Sequence, residues 1–442
     1  MTTSRCLVTL LLLAAAAATT VSAQEAPVIR LSLEDATARA VAASHRLAEA
    51  RARAGVAEAA VDVRRLADQP VVGATAAYTR TNHVTEFVVP GPTGAPRVLY
   101  PDAPNNYLTR LNLQWPIYTG GRTDALELAA RAEASAAGAD VAAAEADLRL
   151  EVARTFWALV TARATVSVLD QSLVRSRAHL NDVRERLTAG LVPPNEVAAA
   201  EALESRQRML SIEAANQRAM TSAELARLIG VDLGQAIEPD AVLELTAPPR
   251  ATADALSAEA RSQRHERTAL QHRIEAAGLQ ERAALAGLRP AVAVTGGVDY
   301  GRPNPRIFPR SDTWNESWDA GISVAWSLWD GGRARAEARQ AAGAATAARQ
   351  RLAEFDSVLS LELRQRLLEI DSGRAAVAAA ADAVRAATEA RRVVGERYRA
   401  GVVTPTEVLD ADVALLQAEL DRTRALAGVR FAEARLARAA GR

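Results

Sequence analysis

Apolar positions between residues 122 and 187 keep a seven-residue beat. Val152, Leu159, Val166, Leu173, Leu180 and Leu187 are spaced by seven, with Ala162, Leu169 and Val183 each three residues after one of them. That is a heptad seam, which two helices share when they wrap around each other left-handed. The stretch holds no proline and one internal glycine, Gly138. It predicts one helix of about 100 Å, far longer than a typical globular helix. The helix ends at Ala189-Gly190-Leu191-Val192-Pro193-Pro194, where glycine suits a helix C-cap and proline forbids continuation. A return helix to about residue 228 follows, with Asn195 expected to cap it.

Upstream the period differs. Residues 33–68 read as one helix, with Ser32 as N-cap and Glu34 and Asp35 in the first turn; Pro70 ends it. Residues 71–80 read as a strand, 81–106 as a loop and 107–117 as a second strand. In the latter, Leu111, Leu113, Trp115 and Ile117 alternate with Arg110, Asn112 and Gln114, giving one apolar and one polar face. Gly120-Gly121 separates it from the long helix.

The whole programme then recurs: helix 256–288, strands at about 291–300 and 318–328, a long helix from 333, a turn at Gly401, and a last helix to about 440. Pro70 and Pro290 lie 220 positions apart. Gly120 and Gly331, and Gly190 and Gly401, are both separated by 211. The two long helices therefore align without a gap. Leu363, Ile370, Val377 and Val384 carry the same heptad, each 211 after its first-half counterpart. A repeat of this size is a duplicated half, not a solenoid unit. The expected divisions are a signal segment 1–23, a first half 24–245 with helix hairpin 122–228, and a second half 246–442 with helix hairpin 333–440.

Ten-residue strands can cross a bilayer when tilted, but four cannot close a barrel, and lipid does not tolerate open edges. Two chains supply eight strands and three supply twelve. An eight-stranded barrel is filled by its own side chains, so three is the geometric preference.

Composition changes the picture in a few places. Net charge is zero, lysine is absent and aromatics are 4%, so no basic surface argues for nucleic acid. Arg5, the apolar run 7–18 and Val21-Ser22-Ala23 read as a secretory signal. Cys6, the only cysteine, falls inside it, so a mature chain has no thiol or disulfide chemistry. No later stretch reads as apolar enough for a membrane helix. His45, His83, His179, His265 and His272 show no metal-ligand spacing, and no catalytic or phosphate-binding pattern is evident. The expectation is a chain with no enzymatic activity, no cofactor and no metal. Trp115, Trp318, Trp326 and Trp329 read as interfacial or lipid-facing aromatics.

Several motifs carry a family resemblance. Pro116-Ile117-Tyr118-Thr119-Gly120-Gly121-Arg122 is echoed by Ser327-Leu328-Trp329-Asp330-Gly331-Gly332-Arg333. Arg186-Leu187-Thr188-Ala189-Gly190 is echoed by Arg397-Tyr398-Arg399-Ala400-Gly401, and Glu407-Val408-Leu409-Asp410-Ala411 follows. In this order and duplicated, over almost the whole mature length, the chain resembles the TolC-type outer-membrane efflux proteins. The resemblance implies an α+β fold: a homotrimeric twelve-stranded β-barrel in outer-membrane lipid, four strands per chain, continued by a periplasmic α-helical coiled-coil barrel. It implies a passive exit duct for an inner-membrane pump, coupled through a periplasmic adaptor (a membrane fusion protein). The turns at Gly190-Leu191 and Gly401-Val402 become the adaptor-docking tip. Glu407 and Asp410, three apart on one helix face, become aperture-lining acids. Glu196, the first-half counterpart of Glu407, and Tyr398 become a latch that holds the tip shut. An arginine the family often carries near position 403 is absent, where Val403 stands. The alternatives are a duct for type I protein secretion or metal-ion export, or a periplasmic coiled-coil scaffold without a pore.

Overall fold

The computed structural model describes residues 28–92, 94–245, 247 and 252–442. The expected signal segment, 1–23, lies outside the described residues. The described chain forms β1 (Ile29–Leu31), α1 (Leu33–Ala43), α2 (His45–Arg65), β2 (Val71–Arg80), β3 (Phe87–Pro90), β4 (Pro96–Tyr100), β5 (Asn105–Tyr118), α3 (Arg122–Thr188) and α4 (Pro194–Ile229). The second half continues with β6 (Ile237–Pro239), α5 (Ala253–Gln263), α6 (His265–Leu285), β7 (Ala291–Arg302), β8 (Asn315–Ala325), α7 (Arg333–Arg399) and α8 (Pro405–Ala439). Helices α3 and α7 are both 67 residues long, the equality that the gap-free repeat requires.

The chain divides into two compact units. The first comprises 1–44, 148–249 and 366–435; the second comprises 45–147, 250–365 and 436–442. In the first, the core gathers around Phe156, with Leu31, Val152, Leu159, Leu225 and Ile237 packed on it. The heptad supplies Val152 and Leu159; Leu31 and Ile237 arrive on β1 and β6. Those two strands pair in parallel, a contact that nothing in the local pattern announces. Arg163 on α3 fixes β6 by donating to the Pro239 carbonyl (3.0 Å) and pairing with Glu238 (2.9 Å).

In the second unit the buried helix stripes are largely alanine: Ala125, Ala129, Ala132, Ala136 and Ala143 on α3, and Ala269, Ala276, Ala277 and Ala283 on α6. Small side chains let helix backbones approach closely. Farther along α3, where the heptad brings in Val, Leu and Phe, an 18-residue window reaches a mean hydropathy of 1.2, enough by composition to cross a membrane, with 44% of it buried. This differs from the expectation that no later stretch qualifies, because Val152, Phe156, Leu159 and Val160, which serve here as core side chains of the first unit, count as apolar.

The sheet of the second unit runs β2-β5-β7-β8, antiparallel throughout, with β2 and β8 at its edges. β8 starts and ends three residues earlier than the alternation predicts. Its last pair is Ala325 with Ala291, the first residue of β7; Pro290 precedes that residue and has no N–H to extend the ladder.

The expected helices 33–68 and 256–288 are each broken in the middle. Ser44 (φ −70°, ψ 112°) and Arg264 (φ −69°, ψ 114°) are extended, and the next helix begins immediately. Positions 44 and 264 are 220 apart, the same offset as the two prolines. No glycine or proline marks either break. In the second half, tertiary contact holds it: buried Arg264 donates through Nη1 to the Arg438 and Ala439 carbonyls at the end of α8 (3.3 and 3.4 Å). They are last-turn carbonyls, and that of Arg438 also accepts from the Gly441 N–H just past the helix end (3.1 Å). The expected cap at Ser32 is present, with Ser32 and Asp35 forming a reciprocal capping box. The expected cap at Asn195 is not: Pro193 occupies that position and Pro194 starts α4. Proline is preset for the first helical turn, so the helix begins before Asn195.

Candidate functional site

The sheet separates chemistry by face. On one side lie Leu111, Trp115, Val298, Tyr300, Trp318, Ile322 and Val324, all exposed on the single chain. On the other lie Arg110, Asn112, Gln114, Asp299 and Asp319. Period-two alternation produces this partition. Trp115 and Trp326 repeat one device 211 positions apart: each indole N–H donates at 3.1 Å to a carbonyl at the end of the short helical turn before a strand, Asp68 and Leu288 respectively. Trp318 and Trp329 are 76% and 87% exposed, which suits aromatics facing lipid or its interface.

At the other candidate site, α3 turns into α4 and α7 into α8 with matching geometry. Gly190 (φ 74°) and Gly401 (φ 72°) adopt the left-handed conformation. The Leu191 N–H reaches back to the Arg186 carbonyl, and the Val402 N–H to the Arg397 carbonyl, each at 2.8 Å. These six-to-one bonds are the signature of a Schellman stop. Beyond the glycines, Leu191 and Val402 are 71% and 64% exposed.

Just behind the turns the seam becomes polar. Positions 391 and 398 continue the second-half heptad, but where the first half has Leu180 and Leu187, they hold Arg391 and Tyr398. Tyr398 is buried; its ring lies 5.6 Å from that of His179, and the Arg186 guanidinium sits 4.2 Å from the ring centroid on the opposite half's helix. Arg391 pairs with buried Asp412 on α8, and Arg186 with Asp182 at 3.3 Å. Glu196, half-buried, lies close enough for its carboxylate to act on Tyr398. The buried Tyr398 hydroxyl, His179 Nε2, Asp412 Oδ2 and Glu196 Oε2 have no hydrogen-bond partner among the described residues. Burial pushes the Tyr398 hydroxyl above its ordinary pKa, with the Asp182 and Glu196 carboxylates adding to the rise against Arg186. Burial also pushes His179 below its ordinary pKa, against the opposing pull of Asp412 and Asp182.

Glu196 and Tyr398 are thus brought into one cluster, though no hydrogen bond joins them. Glu407 and Asp410 stand apart from it, exposed on the first turns of α8. Glu407 also accepts from the Thr404 N–H at 3.3 Å, the reach-back half of a capping box. His179, Arg186, Arg391 and Asp412 were missed by sequence reasoning. For Arg391 the signal was there, a charged residue at a heptad core slot. For the others it was not, since they meet only when α3, α7 and α8 converge. Among the described residues no group of three or more His, Cys, Asp or Glu is arranged to hold a metal ion.

The outer membrane efflux protein family model matches residues 37–231 and 256–442, one match per half of the repeat. The chain belongs to the outer membrane efflux protein family. Solved structures agree on the fold. The efflux protein is similar to the outer membrane protein VceC of Vibrio cholerae (21% identity, TM-score 0.78, covering 92% of this chain and 96% of that one). It is also similar to the CmeC outer membrane channel of Campylobacter jejuni (16%, 0.77, 92% and 85%). The open-state MtrE outer membrane channel of Neisseria gonorrhoeae gives 22% identity, a TM-score of 0.75, and coverage of 92% and 88%. A comparison with curated proteins finds no match. The resemblance read from the motifs holds: the chain is an outer membrane efflux protein.

Proposed function

We propose that three copies of the efflux protein join their sheets edge to edge into one twelve-stranded barrel, which the helices continue as a periplasmic tunnel. The observation that carries this reading is the sheet: four antiparallel strands with two unpaired edges and an exposed apolar face. Strands β2 and β8 run in opposite directions, so β8 of one copy can pair with β2 of the next and keep the ladder antiparallel. Closure removes edges that lipid cannot hydrate. A scaffold without a pore has no use for exposed Trp318, Ile322 and Val324.

The duct is passive. Solutes enter from an inner-membrane pump, and a periplasmic adaptor docks at the tip through Leu191 and Val402, set out by the turns at Gly190 and Gly401. Glu407 and Asp410 form rings of three carboxylates at the aperture, which attract cations. Tyr398 and Glu196, with Arg186 stacked on the tyrosine, form the latch that opening must release. In planar bilayers the purified protein is expected to conduct, and Glu407→Ala/Asp410→Ala to weaken block by multivalent cations. Absence of conductance in both proteins would overturn the duct; unchanged block would remove the two acids from the aperture.

A further inference from the structure

The polar face of the sheet carries a closed ring of alternating charge. Arg110 on β5 donates to both Asp299 oxygens (2.8 and 2.9 Å) and, through Nη2, to Asp319 on β8 (3.0 Å). Arg306 completes the ring from the segment between β7 and β8, with Nε 3.3 Å from Asp299 and Nη2 2.7 Å from Asp319. Strand geometry makes room for it. A Cβ at Gly297 would lie 2.5 Å from Arg110 Nη2, so glycine alone lets the guanidinium cross β7 to reach β8.

The loop 303–314 is consequently not free above the strand ends. Asn304, 1% exposed, donates to the Asn315 carbonyl and to Ser317 Oγ (3.0 Å each) and accepts from the Arg306 N–H (2.9 Å). Farther along, the Arg310 N–H donates to the Leu99 carbonyl (3.2 Å), and its guanidinium lies 4.8 Å from the Tyr100 ring centroid. The first part of the loop is tied through Asn304 and Arg306 to the side of the sheet opposite the apolar face, its middle through Arg310 to β4, and its end to the apolar side, where Trp314 stacks on Tyr300 with ring centroids 5.0 Å apart.

We propose that Arg306 straps this loop across the inner face of the barrel, and that Arg110, Asp299, Arg306 and Asp319 form an outer constriction that limits the size and charge of solutes leaving the duct. This rests on the barrel proposed above, in which the polar face lines the bore and the loop end faces outward. The ring is charge-balanced with Arg306 in place. Withdrawing Arg306 opens the bore and leaves an excess of carboxylate.

The experiment uses the full chain in intact cells with Cys6→Ser, so that a single introduced cysteine is the only thiol. Gln114→Cys places it on the polar face, four residues beyond Arg110 toward the helices. A small maleimide that passes the outer membrane and a bulky impermeant one are added outside. The bulky reagent is expected to label about fivefold faster when Arg306→Gln is added, the shift that loss of partly exposed ion pairs supports. Arg306→Lys should restore slow labelling. Failure of the small reagent to label either protein would show that the face is not aqueous and defeat the barrel reading. Labelling by the small reagent with an unchanged bulky-reagent rate in Arg306→Gln would overturn the constriction alone.

Discussion

Single residues decide how the helix tips stop and what they sense. Gly401 has open space around its Cα, so Gly401→Ala meets no clash; its cost comes from the positive φ, about 1–2 kcal/mol for an L-residue. Thermal unfolding should register that loss, and the same at Gly190. His179 makes a prediction about pH. Its pKa is depressed in the folded protein, so the unfolded state binds the proton more readily. Stability is therefore full above the ordinary value of 6.5 and falls as pH drops below it. The melting temperature should decline between pH 7.5 and 5.5, and His179→Phe should flatten that part of the decline. An unchanged slope would mean the imidazole does not control it. The glycines were legible, because a glycine-ended helix before proline has one common reading. The histidine was not, because its burial depends on α7 and α8.

At the scale of elements, the equal lengths of α3 and α7 and their shared heptad were legible throughout. Many heptad positions expected in the seam are buried, with Val152, Leu159, Leu363 and Ile370 no more than 1% exposed, while Val166, Leu187 and Val384 are only half-buried. Ile370→Ala should cost about 2–5 kcal/mol, measured by chemical denaturation, since it empties a closed site. What the pattern concealed were the breaks at Ser44 and Arg264. Local propensity carries no signal for a break such as that at Arg264, where the residue's own side chain bonds backbone carbonyls at a distant helix end. The three-residue shift of β8 has the same character: alternation continues through Trp326 and Leu328, but pairing stops where β7 has no further donor.

For the whole molecule, exposed apolar positions on the single chain point to assembly. Leu361 and Leu368 are seven apart on α7 and 58% and 62% exposed, a second stripe beside the buried one. In the proposed trimer a neighbouring copy covers such positions. Native mass spectrometry should give three chains per particle, and Leu368→Asp should shift the population toward monomer while leaving the fold of each chain intact by circular dichroism. A trimer unaffected by that substitution would place the stripe elsewhere.

By itself the sequence determined periodicity: which segments are helices or strands, how the chain duplicates, where the long helices turn, and which family it joins. Those features are written in local spacing, where 3.5 and 2 residue repeats and glycine-proline stops act over a few neighbours. Tertiary structure alone decided the rest. It paired β1 with β6 across some 200 residues, gathered His179, Arg186, Tyr398 and Asp412 from three helices, and drew Arg306 onto two aspartates of neighbouring strands. Such meetings depend on how whole elements pack: even Arg306, only 7 and 13 residues from its aspartates, meets them through the pairing of two strands.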